Sequence, residues 1–303
     1  MTPWDYALRY LPVMVPTATG DIPVSIRRYH LGSPTAAKDS VWFGLRDYLK
    51  GQRQKSPGFR LTLQVNGAQI SIGDVEEFRP SLLQPFWGKG SPEDCQIVLQ
   101  VAMIVLGIKP ERLQSWADDN LGLDCNGYVG NYLWHDVLCN AWNSNAGEGP
   151  PGPNARINDI FGWAAGGTEI DAIDDIGQIT LGDKYLIVRV NNSGVVVPGG
   201  PGSVPGHIAI TQPGELMKGV QVVGPGSGTN PSPAGLDTAA GCALRTVESG
   251  GFPAGLNDGV GRNWMTILRK HETLKKVFVI DRDRIHLVEN VKIAPVRKGC
   301  SAR

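Results

Sequence analysis

The chain has 303 residues, 41% apolar and 19% charged, which fits a globular protein with a substantial core rather than a disordered one. Lys plus Arg and Asp plus Glu both number 29, so the net charge is zero, and bulk charge offers no attraction to nucleic acid or an anionic membrane. The five cysteines, at 95, 125, 139, 242 and 300, are widely spaced and form no CxxC pair, which argues against a zinc ribbon and against a disulfide scaffold.

The N-terminus lacks the basic start and apolar run of a secretory signal. Its longest apolar stretch, 97–108, is too short to span a bilayer. The expectation is a chain with no membrane span, either cytoplasmic or exported by a dedicated system.

Residues 1–80 lean towards strands and read as an N-terminal β-rich accessory region of unknown role. Strands are predicted at 12–15 and 22–29, with a short helix over 41–50. Leu61, Leu63 and Val65 alternate, Asn66-Gly67 follows, and Ala68, Ile70 and Ile72 alternate again, which specifies a hairpin with a type I′ turn. Ser91-Pro92-Glu93-Asp94 opens a helix that stops at Gly107, and a second helix runs from Pro110 to about Asn120. Val129, Leu133, Val137 and Ala141 share one face of a helix predicted over 128–142. Residues 143–158 read as a long loop. Strands follow at 185–190, 207–211, 243–248 and 276–281, with weaker candidates at 219–223 and 284–296. Helices first and a meander of strands afterwards suggest α+β, with an antiparallel sheet against the helix that follows Cys125.

Asp124 is a good N-cap residue and places Cys125 in the first turn of its helix. Free N–H groups and the helix dipole favour a thiolate there. The ordinary alternative is a small buried hydrophobe. A cysteine nucleophile needs a base and a third group to orient the base. Of the five histidines, His207 is the best candidate, because it begins a strand after a Gly/Pro loop. His135 lies about 15 Å along the same helix, too far to serve, and with Cys139 makes only a weak metal pair. His30 reads as an ordinary surface or strand histidine, and His271 and His286 as surface residues. Glu248, ending a strand that can lie beside His207, is favoured as the orienting group over Gln221, because an ion pair orients a base more strongly than a neutral bond.

Asp124-Cys125-Asn126-Gly127-Tyr128-Val129 resembles the Asp-Cys-Ser-Gly-Phe-Val signature of the NlpC-type papain-like cysteine peptidases. Gly206-His207-Ile208-Ala209-Ile210 resembles their Gly-His-Val-Gly-Ile strand, also seen in the CHAP amidases. Leu181-Gly182-Asp183 is similar to their Pro-Gly-Asp turn, and Phe86-Trp87-Gly88-Lys89-Gly90-Ser91-Pro92 to the Tyr-x-Trp-Gly-Gly-x-x-Pro segment before the cysteine. Glu248 falls where the family places its third residue. Asn126 departs from Ser, and Phe86 stands where a tyrosine lends the family a hydroxyl. Two helices separate the Trp-Gly segment from the cysteine.

The resemblance covers about residues 81–260. It implies a papain-like core, a helix bearing the cysteine packed on an antiparallel sheet, within a hydrolase domain over 81–303. The triad is Cys125, His207 and Glu248, with no metal or cofactor. The implied substrate is a peptidoglycan stem peptide or a related amide, cleaved through an acyl-enzyme, as by a lysin or toxin. Acyl transfer or deamidation by the same triad, and a non-catalytic binding or structural module, are the alternatives.

Overall fold

The computed structural model describes residues 1–29, 35–137, 152–167, 169, 171–198, 206–218, 242–250, 259–282 and 287–296. His30, Cys139, Gln221, His286, Cys300, the candidate strand at 219–223 and most of the predicted loop at 143–158 lie outside them.

The N-terminal region is not mainly strand. It opens with α1 (Pro3–Leu8), held by a reciprocal Thr2–Asp5 capping box with Pro3 in the first turn. Short strands β1 (Val13–Val15) and β2 (Ile22–Val24) pair antiparallel. Its largest element is the 21-residue helix α2 (Thr35–Lys55), twice the length that the apolar spacing suggested. The hairpin of β3 (Leu61–Val65) and β4 (Ala68–Ile72) turns on Asn66 at φ 49° and Gly67 at φ 79°, the two positive values a type I′ turn requires.

A short helix α3 (Arg79–Leu83) leads to α4 (Pro92–Leu106), which begins at the Ser91–Asp94 capping box and ends at Gly107 in the left-handed region. The helices α5 (Leu113–Asn120) and α6 (Cys125–Tyr132) follow, and α6 runs on as a π turn to Val137. Helix α7 (Ile157–Ala164) starts inside the stretch read as loop.

Six antiparallel strands then close into a barrel: β5 (Tyr185–Arg189), β6 (Ile208–Lys218), β7 (Cys242–Gly250), β8 (Gly259–Lys270), β9 (Phe278–Arg282) and β10 (Leu287–Pro295), in the order β10-β5-β6-β7-β8-β9. The mixed helix and sheet composition agrees with the expected α+β class, whereas the closure and strand β8 were not expected. Side chains alternate across the barrel wall. Leu186, Val188, Ile208, Ile210 and Val247 face outward and share one core with Val98 and Leu99 of α4, Val129 of α6 and Tyr6, Val24 and Val41 of the N-terminal region. Ile187, Ala209, Leu244, Met265, Ile280 and Ile293 face inward and form a second core. Residues 1–29 and 35–80 are therefore packed into the main core. Tyr128 and Tyr132 of α6 donate their hydroxyls to the Pro3 and Met1 carbonyls, which docks α1 on the helix that carries Cys125. No described helix is long and apolar enough to cross a membrane.

Candidate active site

Asp124 caps α6 by accepting from the Gly127 N–H at 2.6 Å, and its own N–H donates to the Gly88 carbonyl at 3.1 Å. A Cβ at residue 127 would sit 2.0 Å from that same carbonyl, so only glycine lets the Trp87-Gly88-Lys89 segment lie on the helix start. Two motifs thirty-odd residues apart in sequence thus meet at one point. Lys89 bridges them, with Nζ 2.5 Å from Asp124 Oδ2 and 2.5 Å from Asn126 Oδ1. Burial pushes the Asp124 carboxyl up to about 6, even against the Lys89 charge and the Gly127 N–H.

Cys125 occupies the first position of α6 and is 3% exposed. The backbone N–H groups of Ile208 and Asn126 lie beside its sulfur and draw the thiol value down. The ladder between β6 and β7 explains why the Ile208 N–H is available. Arg189 N–H donates to the His207 carbonyl on the β5 side, so the polar groups of Ile208 face β7. Pairing with β7 reaches only as far as Ile210 opposite Val247. The thiol therefore sits where the two strands part, one residue from His207. Ser249, near the end of β7, donates to the Leu123 carbonyl at 2.7 Å and ties that side of the seam to the segment before the cysteine.

The imidazole of His207 and the carboxylate of Glu248 are paired through Nε2 and Oε2. Arg282 donates to the same Glu248 oxygen, with its Nη2 3.1 Å from His207 Nε2, and Asn263 donates to Oε1. Burial opposes ionisation of Glu248, but Arg282, the imidazole and Asn263 outweigh it and bring the carboxyl down to about 2. Burial, then the Arg282 charge, holds His207 below its ordinary value, with Glu248 opposing. An ionised Glu248 selects the tautomer with the proton on Nε2, which leaves Nδ1 as the basic nitrogen.

The structure thus brings His207 and Glu248 into contact and sets Cys125 against the backbone of the residue after His207. No hydrogen bond joins the Cys125 and His207 side chains among the described residues. Burial and the Asp124 carboxylate push the thiol up to about 11, so both groups are neutral at pH 7, not an ion pair.

Asn263, Arg282, Lys89 and Tyr29 were not anticipated. The Tyr29 hydroxyl stands beside the Cys125 sulfur, and burial, then the neighbouring Cys125 and Asp124, raise its pKa. His135 is exposed and stacks on Tyr6, and His271 accepts backbone N–H groups of its own turn. Among the described residues no group of three or more His, Cys, Asp or Glu side chains is placed to hold a metal. No protein-family model, no curated protein and no solved structure matches the chain.

Proposed function

We propose that the protein is a cysteine hydrolase of the NlpC type that cleaves an amide bond through an acyl-Cys125 intermediate. The reading is carried by the seam between β6 and β7, where residues drawn from three separate motifs converge. Cys125 lies against the backbone beside His207, and His207 is fixed by the buried carboxylate of Glu248. The antiparallel sheet against the Cys125 helix is compatible with a papain-like core, to which the barrel closure and the N-terminal layer are additions.

In this mechanism His207 Nδ1 takes the Cys125 proton as the sulfur attacks the amide carbonyl. The imidazolium that forms is stabilised by Glu248. The Cys125 N–H, at the start of the helix, is directed at the developing oxyanion. His207 then returns the proton to the leaving amine. Water, deprotonated by His207, attacks the thioester carbonyl, and the acid and the thiol are released. The substrate class, a peptidoglycan stem peptide or a related amide, follows from the motif resemblance.

Incubation of the full chain with purified stem peptides, read by mass spectrometry of the released amine, tests the reading. Hydrolysis by the wild type that is lost in Cys125→Ala and in His207→Ala is the expected result. Equal product from wild type and Cys125→Ala overturns it. If an added amine captures the acyl group in place of water, the same triad performs acyl transfer.

One observation favours a second reading, a non-catalytic module of the same fold: the sulfur is nearly sealed and its thiol is raised to about 11. Undiminished biological effect of Cys125→Ala favours that reading.

A further inference from the structure

We infer that Tyr29 is a working part of the nucleophile site, its hydroxyl stabilising the Cys125 thiolate once the proton has left. The inference rests on the hydrolase reading and gives a catalytic role to the N-terminal region, in which the sequence showed no chemistry.

Tyr29 is held in place from several sides. It forms a parallel bridge with Leu123, and the Leu123 N–H donates to the Arg28 carbonyl at 2.9 Å. Ser25 exchanges two hydrogen bonds with the Gln114 amide, at 2.8 and 3.1 Å, and Arg27 pairs with Asp118 at 2.8 Å. From the barrel side Gly259, at the start of β8, lies so close that a Cβ there would fall 1.5 Å from the Arg27 carbonyl. The segment from Ser25 to Tyr29 is thus set against α5, the residues leading into α6, and the barrel. Its last residue, paired with Leu123 two positions before the cysteine, brings a hydroxyl beside the sulfur.

The chemistry of that hydroxyl is restricted. A half-buried phenol beside a carboxylate and a thiol, with its pKa raised, stays protonated at any working pH, so towards a thiolate it acts as a donor. Three donor groups then stand beside the sulfur: the Ile208 N–H, the Asn126 N–H and the Tyr29 O–H. Two are backbone groups, which side-chain substitution leaves in place. Among the described residues Tyr29 is the side-chain donor of the set. Each charge-assisted bond offsets part of the cost of a thiolate that is buried and close to Asp124.

Tyr29→Phe removes the hydroxyl and keeps the ring. The test is alkylation of the full chain with iodoacetamide between pH 7 and 11, with Cys125 followed by peptide mass spectrometry. At pH 8 the variant is expected to react about three- to tenfold more slowly, the loss of thiolate fraction being partly offset by higher nucleophilicity. The deficit narrows by about half at pH 11, where the wild-type thiol is half ionised, and the melting temperature stays within about 1 °C, a shift that corresponds to under 1 kcal/mol for a chain of this length. With stem peptides, kcat falls and KM is unchanged. A profile identical to wild type overturns the inference. So does a change of equal size at every pH, which reports altered access to the sulfur. If Tyr29→Phe matches wild type while His207→Ala still abolishes hydrolysis, the Tyr29 assignment fails alone; if wild type and Cys125→Ala release equal product, the hydrolase reading fails.

Discussion

The two ends of the barrel interior are built from opposite materials on the same alternating register. At one end Leu244, Met265, Ile267, Phe278, Ile280 and Ile293 pack into an apolar core. At the other, the inward positions of β5, β7, β8, β9 and β10 carry Arg189, Glu248, Asn263, Arg282 and Glu289, and His207 joins them just ahead of β6. The apolar end gains from every methylene it buries. The charged end must recover the desolvation of its groups through pairing, and it does so as a chain: His207 and Arg282 on Glu248, Arg282 on to Glu289 at 3.7 Å, and Glu289 on to Arg189 at 2.5 Å. One end therefore gains stability from apolar burial alone, while the other holds an imidazole in one tautomer through charges that are stable only as a paired set.

The largest expected effect comes from breaking the charged end in half. Glu248→Gln strands Arg282, and denaturant titration should show a loss of about 3–5 kcal/mol, the range for a buried pair losing one partner. Glu248→Leu combined with Arg282→Met removes both charges and should recover most of that loss while leaving the protein unable to hydrolyse amides. If the double variant is as unstable as the single one, the pairing account of this end is wrong.

Acid titration sharpens the contrast between Glu248, inside the barrel, and Asp124, outside it. The Glu248 carboxyl is lowered to about 2, so its contribution is complete above the unfolded value of about 4.3 and is lost as pH falls towards 2. That contribution is on the order of 3 kcal/mol and is absent from Glu248→Gln. Asp124 is raised to about 6, so its sign is reversed: stability is full below about 3.9 and declines as pH rises through 6. Asp124→Asn keeps a good N-cap and should flatten the profile between pH 4 and 6. Urea titrations at half-unit pH intervals check both signs.

Smaller effects are expected elsewhere. Ile280→Val, at the apolar end, should cost about 0.5–1.5 kcal/mol without altering the pH profile. Gly67→Ala, in the N-terminal hairpin, places a Cβ at φ 79° and should cost about 1 kcal/mol by the same titration.

The contrast between the two ends also marks what the sequence could convey. Alternation exposed β5, β7 and the β3–β4 hairpin, and capping residues exposed the starts of α4 and α6, because local chemistry decides those features. The burial of Glu248 inside a closed barrel was not legible, since a period of two cannot say whether both faces of a sheet are enclosed. A signal was nevertheless present. Arg282 is in phase with Phe278 and Ile280, and Glu289 with Val291 and Ile293, so charges stand on the apolar face of their own strands. Such in-phase charges mark a buried pair when the sheet closes. Tyr29 left no local mark, because its meeting with Cys125 depends on Leu123 and Gly259 bringing distant segments together. Helix α2 was underestimated at both ends, because neither residues 35–40 nor the polar run Gly51, Gln52, Arg53, Gln54 and Lys55 carries an apolar period.

The most direct measurement compares the pH dependence of Cys125 labelling by a peptidyl vinyl sulfone, an amide-mimicking electrophile, in wild type and His207→Ala. If the imidazole serves as base, the wild-type rate reaches its plateau below neutral pH, following a His207 that titrates lower than an ordinary histidine. The variant is left with free thiolate alone, and its rate should climb about tenfold per pH unit towards the thiol value of about 11. Two superimposed profiles would contradict the account.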